Sequence, residues 1–398
     1  ARTMAKIEAA HRGSRGLQRL WTDERSRGLI FQILAIVGLA LFVAFIVSNT
    51  IANLQRAGLA SGFGFLVDPA FFDINQRLIE YTSQSTFGRA LIVGLLNTIL
   101  VSAMGIVAAT LIGFVAGVLR LSPNFLLSRL VGAYVEITRN VPLLLQIIFW
   151  WVVLSGLPKV RDSLTIGEAV FLNNRGVRLP APLLESDFEW VAAAFLIGIV
   201  ATVFMSRWAK RRQNVSGERF PVGWVGLGLM VSLPILVYWI VDSPVAWDVP
   251  KPTRFNFRGG FNVTPELVAL WFALSSYTGA FISEIVRSGI LSVSQGQTEA
   301  ARALGLQPRQ TMRLIIIPQA LRVIIPPLTS QYLNLTKNSS LAIAIGYQDL
   351  VSIGGTILNQ SGQALEVVGI WMVVYLSLSL LTSAFMNWYN KRIALVER

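Results

Sequence analysis

The chain contains no cysteine and a single histidine, His11, in 398 residues. Disulfides, thiolate metal sites and a thiol nucleophile are thereby excluded. A histidine-based triad, an HExxH zinc site and a multi-histidine metal centre are excluded too. No lysine follows a glycine, so the GxxxxGK[ST] phosphate loop is absent and the chain cannot be its own P-loop ATPase. Charge is also scarce: 14% of the residues are charged, where a soluble domain carries about 25%. With 54% hydrophobic residues and a mean hydropathy of +0.59, the composition is that of a polytopic membrane protein. The net charge of +13 is placed as a set of membrane-orientation markers and not as a nucleic-acid footprint.

Residues 1–27 carry seven Lys/Arg against three Asp/Glu and read as a basic cytoplasmic tail. The first apolar segment, about Leu29 to Val47, is longer than a signal h-region and has no small-residue cleavage site after it, so a retained helix is expected. The turn-rich stretch Gln55–Gly88 belongs outside and completes a unit 28–88. A second span, about Arg89 to Leu119, carries small residues four apart at Gly105, Ala109, Gly113 and Gly117, a spacing that lets another helix approach closely. Arg120–Asn140 is a short basic loop, hence cytoplasmic, and a third span through Leu157 ends a unit 89–157.

Residues 158–189 hold four basic and five acidic side chains and three prolines, which predicts an external loop. A fourth span, about Trp190 to Met205, ends in Arg207, Lys210, Arg211 and Arg212, an inside marker. A fifth, about Val222 to Val241, returns outward to the loop Asp242–Asn262. Spans at about Pro265–Val286, Gln319–Asn334 and Val367–Met386 make up a unit 263–390, followed by a tail 391–398. The expected fold is all-α, with about eight transmembrane helices and both termini in the cytoplasm.

Between the sixth and seventh spans lies a polar, helix-prone island, Ser294 to Pro318. Ser294 with Gln297 can form a capping box. Glu299, Ala300, Ala301, Ala303 and Leu304 make a short helix with a face of very small side chains. Gly305 sits where a left-handed cap is wanted, and Pro308 can open a second helix. The product is a helix-turn-helix knob on a cytoplasmic loop. Flanking spans set it apart from the DNA-binding motif of similar outline, and no nucleic-acid partner is expected.

Polar groups within spans are costly in lipid and point to a substrate path. The densest set is Ser275, Ser276, Tyr277, Thr278, Ser283 and Glu284, where Tyr277 and Glu284 share a helix face. A second set ends the seventh span: Asn334, Thr336, Lys337, Asn338, Ser339 and Ser340. A substrate with both ammonium and carboxylate could be met by Glu284 on one side and by Lys337, the hydroxyls or backbone N–H groups on the other. The plainer alternatives stay open. Glu284 can pair with Arg287 within its helix, Lys337 can snorkel to the surface, and the hydroxyls of Ser275 and Thr278 can bond to the backbone one turn earlier. Glu136 and Arg139, three apart at a helix end, form either a structural ion pair or a gate.

Two motifs carry a family resemblance. Glu299-Ala300-Ala301, then Gly305, then Ile315, Ile317 and Pro318, resembles the EAA loop of bacterial ABC importer permeases, with Ile317 in place of the signature's last leucine. Glu136-Ile-Thr-Arg139-Asn140-Val-Pro142-Leu-Leu-Leu-Gln146 resembles a segment of the polar amino-acid permeases of that superfamily. Tyr277 to Ile290 and Lys337 to Leu341 are similar to the His/Glu/Gln/Arg/opine permease group. The resemblance covers about 90–157 and 264–390. The added first helix and the inserted 158–262 hairpin resemble those of the larger permease subunit of general L-amino-acid importers in alphaproteobacteria.

The resemblance implies a type I importer fold with a five-helix core, placed in the bacterial inner membrane. It implies an L-amino-acid substrate, a periplasmic amino-acid-binding protein, a second permease subunit (a heterodimer, or a homodimer) and two ATPase subunits. The ATPase would contact Glu299, Ala300, Ala301, Gly305 and Pro318, and ATP and Mg would be held there; no cofactor or metal is expected on this chain. Two other classes remain as alternatives. One is a secondary amino-acid transporter or channel not driven by ATP, and the other is a membrane-embedded enzyme.

Overall fold

The computed structural model describes residues 24–56, 62–185, 187–218, 220–253 and 256–393. Most of the expected N-terminal tail with His11, and the last residues of the C-terminal one, lie outside the described residues. Seven described helices are long and apolar enough to cross a membrane, and a bent helix pair supplies an eighth span. In chain order the helices are α1 (Glu24–Arg56), α2 (Phe87–Leu119), α3 (Phe125–Asn140), α4 (Leu143–Ser155), α5 (Phe188–Ser216) and α6 (Val222–Ile240). There follow α7 (Pro265–Leu291), α8 (Gln295–Ala303), α9 (Pro308–Thr311), α10 (Ile317–Asn338), α11 (Leu350–Ser361) and α12 (Ala364–Ile393).

The core is built where α2, α7 and α10 meet. Thr86 caps α2 by accepting the Arg89 N–H, and Thr264 caps α7, whose first residue is Pro265. The small-residue ladder on α2 is the packing seam. A Cβ on Gly113 would sit 2.4 Å from Ile282, and one on Gly117 only 2.7 Å from the Val286 Cβ and 2.8 Å from the Ser283 carbonyl. Farther along, Leu335 of α10 fills the space beside Gly105. Only hydrogen side chains permit this separation, which supplies dispersion contact where lipid gives no hydrophobic drive. Leu270, Leu274, Ile282 and Leu335 are fully buried there, with Ile147 of α4 against them.

Most of the segment Arg120–Asn140, expected as a loop, is the helix α3. Asn124 caps its start by accepting the Leu127 N–H at 3.1 Å. Its Tyr134 hydroxyl donates to the Ser276 carbonyl of α7 at 2.7 Å, which holds it against the core. Pro142 then bends the chain by 107° into α4 because its ring removes a donor and disfavours helix in the preceding residue. Gln146 takes up the freed carbonyls, its Nε2 donating to Thr138 O at 2.8 Å and Val141 O at 2.9 Å. A periodicity reading sees charge here and infers a loop. The helix is amphipathic and lies against the bundle.

At the opposite end of the core, residues 63–86 fold over the start of α2 and the turn before α11. Asn97 Nδ2 donates to Gln76 O at 2.7 Å and Gln348 O at 2.9 Å, and Tyr347 donates to Asn97 O at 3.2 Å. Leu350 N–H donates to Thr98 Oγ1 at 3.1 Å, and fully buried Asp349 caps α11 by accepting the Ser352 N–H at 2.8 Å. Asp349 was not singled out from sequence, although a lone acid in a semi-apolar segment is the kind of residue membrane burial makes conspicuous.

The external stretches on either side of α5 and α6 are not loops throughout. Strands β1 (Leu164–Ile166), β2 (Val170–Asn173), β3 (Gly176–Leu179), β4 (Ala181–Leu184), β5 (Val245–Asp248), β6 (Lys251–Pro252), β7 (Phe257–Arg258) and β8 (Phe261–Val263) form three small antiparallel sheets. The largest has the order β1-β2-β3-β8, with Val177 opposite Val263, so it ties the segment to the start of α7. Short runs of three or four residues between prolines and glycines carry little strand periodicity, which is why composition alone reads them as loops. No described residue of α1 is buried, as suits a helix surrounded by lipid.

Candidate functional site

The knob is assembled as a compact unit. Gly305 adopts φ +74°, the left-handed region that glycine enters without steric cost. Around it the Leu306 N–H donates to Ala301 O at 3.0 Å and the Gly305 N–H to Arg302 O at 2.9 Å, the paired bonds of a Schellman turn. Pro308 opens α9, as expected, but the capping box is elsewhere than expected. Ser294 makes no side-chain cap; the box is formed by Gln307 and Gln310. The Gln297 side chain is drawn away because its Oε1 accepts from Gln319 Nε2 at 3.3 Å. That bond ties the knob to the start of α10.

The faces of α8 divide the motif. Ala301 is buried against the knob itself, whereas Glu299, Ala300, Ala303 and Leu304 are exposed, Leu304 by 80%. Gly305 is exposed and Pro318 half-buried. After α9 the chain does not break before the span. Met312–Ile316 forms a π-turn in which the Ile317 N–H reaches Met312 O, and α10 continues with Pro318 in its first turn. The π-turn accommodates the residue that has no N–H to give. The knob and the span are therefore one continuous, if modulated, helical rod from Pro308 to Asn338.

About two turns before the knob end of α7, Glu284 is the hub of an arginine cluster. Arg120 Nη1 lies 2.5 Å from Oε2, Arg287 Nη2 lies 2.8 Å from Oε1, and Arg139 Nη1 lies 3.8 Å from Oε2. The Arg287 pairing is the intrahelical one anticipated; Arg120 and Arg139 join it from α2 and α3. The expected Glu136–Arg139 pair is not formed. Arg139 turns instead to Glu284 and stacks its guanidinium 5.0 Å from the centre of the Phe281 ring, while Glu136 points into a neighbouring trough. Three apart on a helix is permissive geometry, and Arg139 gains the Phe281 ring face together with a carboxylate oxygen at 3.8 Å. Arg120 could have been suspected from its place at the end of a span.

A cavity of about 270 Å³ lies between α7 and α10, lined by Tyr277, Thr278, Phe281, Gln331, Asn334 and Asn338. Its lining offers amides, hydroxyls and two rings, Tyr277 and Phe281, packed 5.0 Å apart. No formal charge lines it. Of the two polar sets expected to mark a path, Tyr277, Thr278, Asn334 and Asn338 are there. Ser276, Thr336 and Ser339 spend their hydroxyls on backbone carbonyls of Phe272, Tyr332 and Thr336, at 2.8, 3.0 and 2.8 Å. Lys337 lines a separate apolar cavity with Ser340, Trp371 and Tyr375. Glu284 is held in the arginine cluster. Gln331 and Phe281 were missed, because neither a lone amide nor an aromatic in an apolar run signals a pocket until the helices are packed.

The family model for "Binding-protein-dependent transport system inner membrane component" matches residues 194–395. The chain is 54% identical over 377 residues to the general L-amino acid transport system permease protein AapQ of Rhizobium johnstonii, covering 94% of each. It is 50% identical over 374 residues to the putative amino-acid ABC transporter permease protein YhdX of Escherichia coli, covering 94% of this chain and 95% of that one. It is also 42% identical over 417 aligned positions to the glutamate/glutamine/aspartate/asparagine transport system permease protein BztB of Rhodobacter capsulatus, covering 96% and 97%.

Proposed function

The chain belongs to the family of binding-protein-dependent transport system inner membrane components, and from that membership we infer that it is a permease subunit of an ATP-driven importer of polar L-amino acids. Both termini and the knob face the cytoplasm, and the β-strands face the periplasm, where a binding protein delivers substrate. A second permease subunit completes the pathway, and two ATPase subunits hold ATP and Mg. The observation that carries this reading is the knob. It exposes Glu299, Ala300, Ala303 and Leu304 on a helix tied through the π-turn to a membrane span, in a chain with no phosphate loop of its own.

The 270 Å³ cavity is the substrate position this chain offers. Its size suits a small polar solute, and its neutral donors and acceptors suit the ends and side chains of an amino acid. The names of the relatives, general L-amino acids in one and glutamate, glutamine, aspartate and asparagine in another, support that class. Glu284 holds the knob end of the core together, with Arg120 and Arg287 as its partners, and is assigned no substrate contact. Uptake of radiolabelled glutamine and glutamate into cells carrying the operating importer tests the reading. ATP depletion is expected to abolish uptake while a proton gradient persists. Uptake that survives ATP depletion and fails on collapse of the gradient would make the chain a secondary transporter.

A further inference from the structure

Where α2 ends and α3 turns back along α7, a half-open trough of about 520 Å³ is lined by Arg120, Ser128, Arg129, Gly132, Ala133, Glu136 and Arg287. Arg120 and Arg287 each spend part of their fork on Glu284, through Nη1 in the first and Nε and Nη2 in the second, and a guanidinium has five N–H donors in all. Arg129 stacks on the Phe125 ring at 5.3 Å and makes no ion pair among the described residues. Three guanidiniums thus face two carboxylates, Glu136 and the shared Glu284, and Arg129 is the cation without an acidic partner among the described residues. Its floor is made by the small residues Gly132 and Ala133, and a Cβ added to Gly132 would meet nothing within 4 Å.

The neighbouring face of α3 is apolar and open. Leu126, Leu130 and Ile137 fall on one side of the helix and are 66%, 61% and 65% exposed. At 100° per residue they lie about a quarter-turn from the trough-lining Arg129 and Glu136. An amphipathic helix with such a stripe lies in the membrane interface. Arg120 directly follows the 33-residue span α2, so the trough opens at the end of a membrane-spanning helix, where headgroups are met. Fork-shaped cations beside an exposed apolar stripe match a phosphate that carries acyl chains.

We propose that this trough is a phospholipid headgroup site, in which Arg120, Arg129 and Arg287 hold the phosphate and the acyl chains lie along Leu126, Leu130 and Ile137. Glu136 faces the outer part of the headgroup and favours one bearing an ammonium, such as ethanolamine. The site lies beside the Glu284 cluster, so an occupant braces the α2–α3–α7 junction. The inference requires only that the chain spans a membrane and is independent of which face carries the knob or what is transported.

Native mass spectrometry on the delipidated importer complex tests it, with dioleoyl phosphatidylethanolamine, dioleoyl phosphatidylglycerol, glycerol 3-phosphate and inorganic phosphate added in turn. The expected result is retention of phosphatidylethanolamine by the wild type and roughly tenfold weaker retention by Arg129→Gln, the loss of about one charge-assisted hydrogen bond. Gly132→Leu, which fills the floor, should weaken it as well, and Glu136→Gln should erase the preference for ethanolamine over glycerol. Arg129 and Gly132 are not buried, and unchanged thermal unfolding of both variants will show that they fold. Equal retention by the wild type, Arg129→Gln and Gly132→Leu would overturn the proposal. Displacement of the lipid by inorganic phosphate at equal concentration would overturn the lipid source. Absence of any retained phospholipid on the assembled complex would show that a protein partner covers the stripe, and would overturn it too.

Discussion

The core and the 158–262 segment both pair helices through glycine, yet they are built to different tolerances. In the core, a Cβ at Gly117 would strike the Ser283 backbone carbonyl at 2.8 Å as well as Val286. In the hairpin of α5 and α6, the three atoms nearest a Cβ at Gly226 all belong to the Thr202 side chain, its methyl at 2.4 Å. Buried residues are dense along α2 and α7, whereas α6 buries Gly226 alone among its described residues. A region that must hold a precise seam between moving helices has no slack, and a lipid-facing hairpin that packs mainly on itself has some. The largest of the three small sheets completes the contrast, since it fastens the hairpin segment to the start of α7 through strand pairing at Val177 and Val263 and leaves the seam untouched.

Substitutions along both regions put that contrast at risk. Gly117→Val should cost about 3 kcal/mol or more, because neither a backbone carbonyl nor a β-branched neighbour can step aside; little folded protein should be recovered, as read by size-exclusion chromatography. Glu284→Gln should lower stability by about 2 kcal/mol by leaving two close guanidiniums without their counter-charge, visible as a lowered Tm for every substrate tested. A variant with wild-type Tm and weakened uptake of cationic amino acids alone would instead return this carboxylate to the substrate path. At the knob, Gly305→Val should strain the left-handed cap by about 1–2 kcal/mol and reduce the ATPase that co-purifies, with the spans still folded. Full ATPase recovery with normal uptake would remove the knob from the coupling role. Gly226→Ala should cost under about 1 kcal/mol, since Thr202 has a second helical rotamer to move into. A loss as large as that of Gly117→Val would erase the distinction between the regions.

Much of this was legible in the residues because it is written in local chemistry. Apolar length gives the spans, and Gly305 and Pro308 give the knob. What was not legible depends on which helices meet. The Glu136–Arg139 spacing was permissive, but only packing brings Glu284 within reach of Arg139 and Arg120. Gln297 fits a capping box until Gln319 is placed beside it. The cavity at Tyr277 needs Gln331 and Asn334 from another span, a pairing no window along one helix contains. Asp349 does not stand out until the Tyr347–Asn97 and Leu350–Thr98 bonds on either side of it draw the start of α11 onto α2 and it is found buried.

The exposed face of α8 is tied to α10 through the Gly305 turn and the π-turn, and the proposed coupling role requires that the two move as one body. Because the chain has no cysteine, introduced pairs report without background. Spin labels at Arg302→Cys with Val323→Cys, and at Arg302→Cys with Val200→Cys, would be measured by pulsed electron resonance in the assembled importer with and without Mg-ATP. The account predicts a constant distance from the knob to α10 and a changed distance from the knob to α5. A knob that shifts against Val323 while its distance to Val200 stays fixed would contradict it.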